Sequence, residues 1–397
     1  MNKVILLFFL SICIFFHNRL YGQLSKEDVK HIKVYYEPGM FGGWPANHGI
    51  WIWGNEILVG FAKGYYKDLG PEFHNIDREK PEIHMLARSL DGGETWSIED
   101  PGRNGTGDLV IPNHGGMHGI MRKDVKPQDL IDCKGKINFQ HPDFALTARM
   151  TNIHGGESRL WYSYDRGHTW DGPCVLPDFN TTGTAARTDY IINGKHECML
   201  FITAAKSNGR EGRPMCVKTT DGGENWSFVS WIGQEPDGFS IMPASVRLSD
   251  NEILVAVRRR EGQHRYISAY LSDDNGLTWR YLNDPVESAG IGNPPAMVKM
   301  QDGRICLIYG YRASEAQIQG KTATSDIRAK ISNDNGRTWS EDYTLRNDGS
   351  GQDIGYPRVV QRPDGKIVAI YYFMDKKTGH ERYIGATIWN PPIISGE

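Results

Sequence analysis

Short apolar runs, alternating or continuous, follow one another along this chain and are separated by turns of Gly, Asp and Asn. IHMLAR, RLWYSY, MCVKT, YISAYL and IRAKI are rich in β-branched and aromatic residues and too short for helices, so they read as strands. Each leads into nearly the same phrase: SLDGGETW (89–96), SYDRGHTW (163–170), TTDGGENW (219–226), SDDNGLTW (272–279) and SNDNGRTW (332–339). The phrase is turn chemistry, in which Asp accepts nearby backbone N–H groups, Gly supplies the positive φ and Trp packs the turn onto its sheet. A second rhythm precedes it, hairpins with polar turns in WGNEILVGF, INGKHECMLFI, LSDNEILVAV, MQDGRICLIY and RPDGKIVAIYY. The last hairpin runs into RYIGATIW (382–389), which lacks the phrase. Together the repeats predict an all-β protein, a six-bladed β-propeller of four-stranded antiparallel blades. The five phrases then join strands three and four, at the same end as the strand one–two hairpins. The second blade is irregular, with extra residues around 124–136, and the left-over strand IKVYY (32–36) is expected to close the ring on the last blade.

The N-terminus adds an address. Lys3 precedes the apolar run VILLFFLSICIFF (4–16), and polar sequence follows Gly22, the layout of a signal peptide over 1–22. That leaves 23–397 as a single propeller domain, exported to the periplasm, cell surface or exterior, with no further apolar stretch long enough to span a bilayer. A formal charge of −3 carries no basic field and excludes nucleic acid as a partner. The cysteines beyond residue 22, Cys133, Cys174, Cys198, Cys216 and Cys306, are too sparse for a disulfide framework. Cys198 and Cys216 are expected to face each other across a hairpin, within reach of one bridge. No zinc-type spacing, Walker loop or dinucleotide glycine loop occurs, so no metal or organic cofactor is predicted.

With one end of the ring taken by tight turns, chemistry is expected in the longer loops at the other. GGWPANHG, KGYYKDLGPEFHNIDREKPE, NHGGMHG, TAARTD, RRREGQHR, GYRASEAQ and GQDIGYPR bring arginine, aromatic and acidic residues from around the ring. That set suits a small polar, acidic ligand such as a glycan terminus. The repeated phrase is identified as the Asp box, or BNR repeat, and six blades with this hairpin rhythm resemble the sialidase superfamily over the whole of 23–397.

The resemblance implies a secreted exo-glycosidase of exo-α-sialidase type. It implies Asp77, on the loop leaving strand two of blade one, as acid/base, and Tyr356, opening the last blade, as nucleophile. A tyrosine suits a substrate whose anomeric carbon bears a carboxylate, which would repel an Asp or Glu nucleophile. Arg258, with Arg312 or Arg328, would grip that carboxylate, and His48, Lys63, Arg187 and Arg358 would line the pocket. Two family features are missing. GGWPANHGIW holds no arginine, with Asn47, His48 and Lys63 the nearest polar groups, and Met242 stands where the family has the glutamate that deprotonates its tyrosine. Asp353 or Asp189 would have to replace that glutamate. Two other readings follow: a glycosidase or lyase centred on His48 and His118, expected at the starts of two adjacent blades with His114 and His141 nearby, or a carbohydrate-binding propeller without turnover.

Overall fold

The computed structural model describes residues 29–103, 118–126, 128–131, 133 and 137–392. The expected signal peptide and His114 lie outside them. Six antiparallel sheets form the blades of a propeller. Blade one has an inner strand split into Met40–Gly43 and Ile50–Trp53, then Glu56–Tyr65, Ile83–Ser89 and Ser97–Glu99. Blade two shows three strands among the described residues, Ala145–Met150, Ser158–Ser163 and Asp171–Val175. Blade three also splits its inner strand, Thr184–Ala185 and Tyr190–Gly194, followed by Glu197–Ala205, Glu211–Thr219 and Ser227–Trp231. Blade four comprises Phe239–Arg247, Ile253–Glu261, His264–Ser272 and Arg280–Val286. Blade five comprises Ala296–Lys299, Ile305–Tyr311, Ser325–Ser332 and Tyr343–Gly349. Blade six is Gly355–Gln361, Ile367–Phe373 and Tyr383–Trp389, completed by the N-terminal strand Val29–Tyr35 running antiparallel to Tyr383–Trp389. The strand left over in the sequence thus closes the ring.

The continuous apolar runs follow from the blades' position between two neighbours. In ILVAV, Ile253, Val255 and Val257 pack toward blade three, while Leu254 and Ala256 pack toward blade five. A strand buried on both faces has no polar face to show, so its alternation disappears.

The repeated phrases behave as predicted. Asp91 accepts the Thr95 N–H at 2.9 Å and the Thr95 hydroxyl at 2.6 Å, Ser89 receives the Gly93 N–H at 2.7 Å, and the Trp96 indole donates to the Gly93 carbonyl at 2.9 Å. The same acceptor pattern recurs at Asp165, Asp221, Asp274 and Asp334. Gly92 donates to the Asn55 carbonyl and Gly222 to that of His196, tying each phrase to its blade's hairpin turn at a shared end.

Two expectations need correction. Cys198 lies opposite Thr219 and Cys216 opposite Phe201, so strand parity puts the two thiols on opposite faces of blade three, in separate cores. Both are free, and the bridge instead joins Cys133 to Cys174. His118 does not open a strand of blade two: Ile120 bridges to Pro81, which keeps this segment against the outer loop of blade one.

Candidate active site

The inner strands break or bulge near one end of the ring. Blade one is interrupted by a 3-10 turn at Pro45–Asn47, blade four shifts register between Ile241 and Ala244, and blade six between Gly355 and Arg358. At each break a non-glycine residue stands at positive φ, with Trp44 at 56°, Met242 at 55° and Tyr356 at 49°. Each is followed by proline, which disfavours helical backbone in the residue before it and gives up a ladder N–H. Such conformers cost about 1–3 kcal/mol apiece and persist where surrounding structure over-determines them. All three side chains line one cavity of about 710 Å³.

Tyr356 lies in this wall. Its N–H donates to Asn293 Oδ1 at 2.8 Å, and the Asn293 amide packs so closely that a Cβ on Gly355 would fall 2.3 Å from it. Arg258 Nη1 donates to the phenolic oxygen at 3.0 Å, and the Arg258 and Arg312 guanidinium carbons lie 5.9 and 5.3 Å from the ring centroid. Burial alone pushes the phenol up, but Arg258, Arg312 and Arg187 outweigh it and hold it below the usual tyrosine value. Arg187 is fixed by donating to Asn47 Oδ1 at 3.0 Å and Glu211 Oε1 at 2.6 Å. Arg260, Lys206 and Arg210 add positive charge to the wall against Glu211 and Asp237, and Trp44 and Phe239 supply aromatic faces.

The fold has counterparts among known proteins. The family model for the BNR repeat-like domain matches residues 143–369. The chain belongs to that family. A protein of unknown function from Dyadobacter fermentans has the same fold at 18% identity and a TM-score of 0.66, over 91% of this chain and 98% of that one. An α-L-arabinanase from Penicillium chrysogenum, complexed with arabinobiose, is similar at 14% identity and a TM-score of 0.55, over 91% and 97%. The NanB sialidase of Streptococcus pneumoniae is similar at 13% identity and a TM-score of 0.53, over 86% of this chain and 67% of that one. At these identities the likeness is one of fold. No curated protein matches the sequence.

Within this BNR repeat-like propeller the remaining candidates divide. Arg312 is buried beneath Tyr356, donating to the Ile354 carbonyl at 2.7 Å, to Asp353 at 3.3 Å and to the Tyr372 hydroxyl. Arg328 is bound to Asp326 at 2.6 Å and Asp342 at 3.3 Å, away from the cavity, which leaves Arg312 as the blade-five arginine near the tyrosine. Arg358 does not line the cavity. It donates to the Ala46 and His48 carbonyls at 2.7 and 2.9 Å, pinning the 3-10 turn, and faces Asp189 in a separate axial space of about 180 Å³. Burial pushes Asp189 up to about 7 and Arg358 down to about 10. Lys63 pairs with Glu37 at 2.6 Å and is not in the wall. His48 is 1% exposed, packed on His84 and Arg149, with burial and then the Arg149 charge holding its ring neutral. It therefore forms no pair with His118, which packs on Trp44 in the cavity wall.

Asp77 accepts the Glu79 N–H at 3.2 Å and the Lys67 ammonium at 3.3 Å, contacts that keep it ionised below the usual carboxylate range, and it is absent from the cavity wall. The same loop puts His74 there instead. Neither His74 nor Asn293 is marked by sequence spacing, whereas the WP, MP and YP dipeptides do mark the three strained positions.

Proposed function

We propose that this propeller is an exo-acting glycosidase of sialidase type that removes a terminal anionic sugar from a glycan, with Tyr356 as nucleophile. The observation that carries the reading is the phenol at the cavity wall accepting a hydrogen bond from Arg258, with Arg187 and Arg312 close enough to favour its ionised form. Where the family's glutamate would take the tyrosine's proton, the cations here favour the phenolate electrostatically, a route that does not depend on a carboxylate at Met242. The arginine missing from blade one leaves Arg258 and Arg187 to grip the substrate anion, and Trp44 and Phe239 to take the sugar's apolar face. The apolar run at 4–16 fits export, which would bring the site to extracellular or periplasmic glycans.

The test is an end-point digest of sialylated, uronate-capped, rhamnose-capped and arabinose-capped oligosaccharides by purified residues 23–397, with products read by mass. Release of an acidic terminal sugar, abolished by Tyr356→Phe, is expected. Release of a neutral sugar would refute the anionic assignment. Saturable binding without product would leave a carbohydrate-binding propeller.

A further inference from the structure

A glycosidase with a tyrosine nucleophile still needs a proton for the departing oxygen, and Asp77 is not in the cavity wall. His74 is. Its ring stands edge-on to Trp44, with centroids 5.2 Å apart at 89°, and lies 5.2 Å from His118. Nδ1 is 3.0 Å from Oδ1 of Asp353, which is itself 4% exposed. The Tyr372 hydroxyl and Arg312 also donate to Oδ1, and Arg382 donates to Oδ2 at 3.2 Å. Two cations around one buried carboxylate keep it ionised, so it accepts the Nδ1–H and leaves Nε2 as the working nitrogen of a ring that is one-third exposed. Asp353 and Tyr356 belong to one short segment, and the Tyr372 ring spans them, 5.9 Å from the Tyr356 ring with its hydroxyl on Asp353. The histidine's anchor and the nucleophile are thereby locked to each other.

We infer that His74, oriented by Asp353, is the proton donor and acceptor of the reaction proposed above, on which this inference rests. In the first half, the Tyr356 phenolate oxygen bonds to the anomeric carbon as the glycosidic C–O bond breaks. The departing electron pair takes the proton from Nε2 of the His74 imidazolium. In the second half, water attacks the anomeric carbon, the C–O bond to Tyr356 breaks to restore the phenolate, and neutral Nε2 takes the water's proton. Asp353 stays ionised throughout and is a positioning residue.

The test uses residues 23–397 and glycosides of whichever sugar the wild-type protein releases, with aglycones ranging from dinitrophenyl to alkyl. For His74→Gln, kcat/KM on the alkyl glycoside is expected to fall about 10²–10⁴-fold, while the dinitrophenyl glycoside, which departs without a proton, stays within about tenfold. In His74→Ala, added imidazole should restore part of the loss, which separates chemistry from misfolding. Equal losses on all aglycones, or no loss, would overturn the assignment. So would the aglycone dependence appearing in Asp77→Asn instead. Wild-type protein that cleaves none of the digest panel would remove the glycosidase reading and this inference together, an outcome distinct from wild-type turnover that is indifferent to His74.

Discussion

Replacing Arg258 with methionine separates what this side chain does for chemistry from what it does for the fold. Its Nη1 donates to the Tyr356 oxygen at 3.0 Å, its Nε has no hydrogen-bond partner, and among the described residues no carboxylate pairs with it. A hydrogen bond to a charged group contributes about 1.5–3 kcal/mol, and partial exposure to solvent reduces that to about 1–2 kcal/mol. At about 1.4 kcal/mol per decade, kcat/KM should fall about 5–30-fold from the loss of phenolate stabilisation alone. On a carboxylate-bearing substrate the fall should be larger than on its neutral methyl ester, because the anion loses its partner too. The fold should not suffer. Methionine keeps the stem's apolar packing, and the cation removed has no carboxylate partner among the described residues, so the melting temperature is expected to hold. Steady-state kinetics on both substrates, calorimetry and an ultraviolet difference titration of the tyrosines make the assay. The earliest tyrosinate of the wild-type protein should appear at higher pH in the variant. Unchanged onset together with unchanged kcat/KM would refute the role given to Arg258, and a large drop in melting temperature would refute the account of its burial.

Other outcomes follow from the same geometry. Asp334→Ala removes an acceptor of the Thr338 N–H, the Thr338 hydroxyl and the Ser332 hydroxyl, at 2.8, 2.7 and 2.8 Å, so calorimetry should show a loss of about 1–3 kcal/mol with activity per folded molecule intact. Stability should decline as pH falls below about 6.5, because burial holds His48, His84 and His118 uncharged in the fold while the unfolded chain takes up their protons. Glu82 and Asp189, both raised to about 7 by burial, work the other way between roughly pH 4.5 and 7, since there the fold holds protons that the unfolded chain releases. Asp189→Asn should therefore steepen the acid decline, measured by urea unfolding at pH 7, 6 and 5; a shallower decline would contradict that sign. Thiol titration of unfolded residues 23–397 should count the three free cysteines before reduction and two more after it, with Cys133 and Cys174 identified by peptide mapping.

The fold was largely legible in the sequence because its signal is local and repeated. An Asp accepting N–H groups from residues just beyond it needs no partner elsewhere, so each phrase announces its own turn, and the hairpin before it announces the blade. Tyr356 and Arg258 were singled out by the family resemblance at their places in that repeat, and both line the cavity. What sequence could not supply was the meeting of loops from different blades. His74 gains its meaning from Asp353, and Cys174 its bridge from an insertion with no repeat to align it. Arg312 and Arg328 looked equivalent until strand direction sent one beneath the tyrosine and the other to a pair of outer aspartates. Cys198 and Cys216 sit on paired strands, but only the register shows that they point into different cores.

The strand Val29–Tyr35 has a consequence for how the molecule is made. It pairs with Tyr383–Trp389, almost a whole chain length away, so the earliest part of the domain to be synthesised waits for the last before either edge is covered. Until then both blade-six edges offer unpaired N–H and C=O groups to any other strand, the condition under which chains aggregate or swap segments. Loss of either strand would open the ring between blades six and one, the two blades whose loops supply Tyr356, Trp44 and His74. Closure of the ring and completion of the cavity are, for this protein, one event.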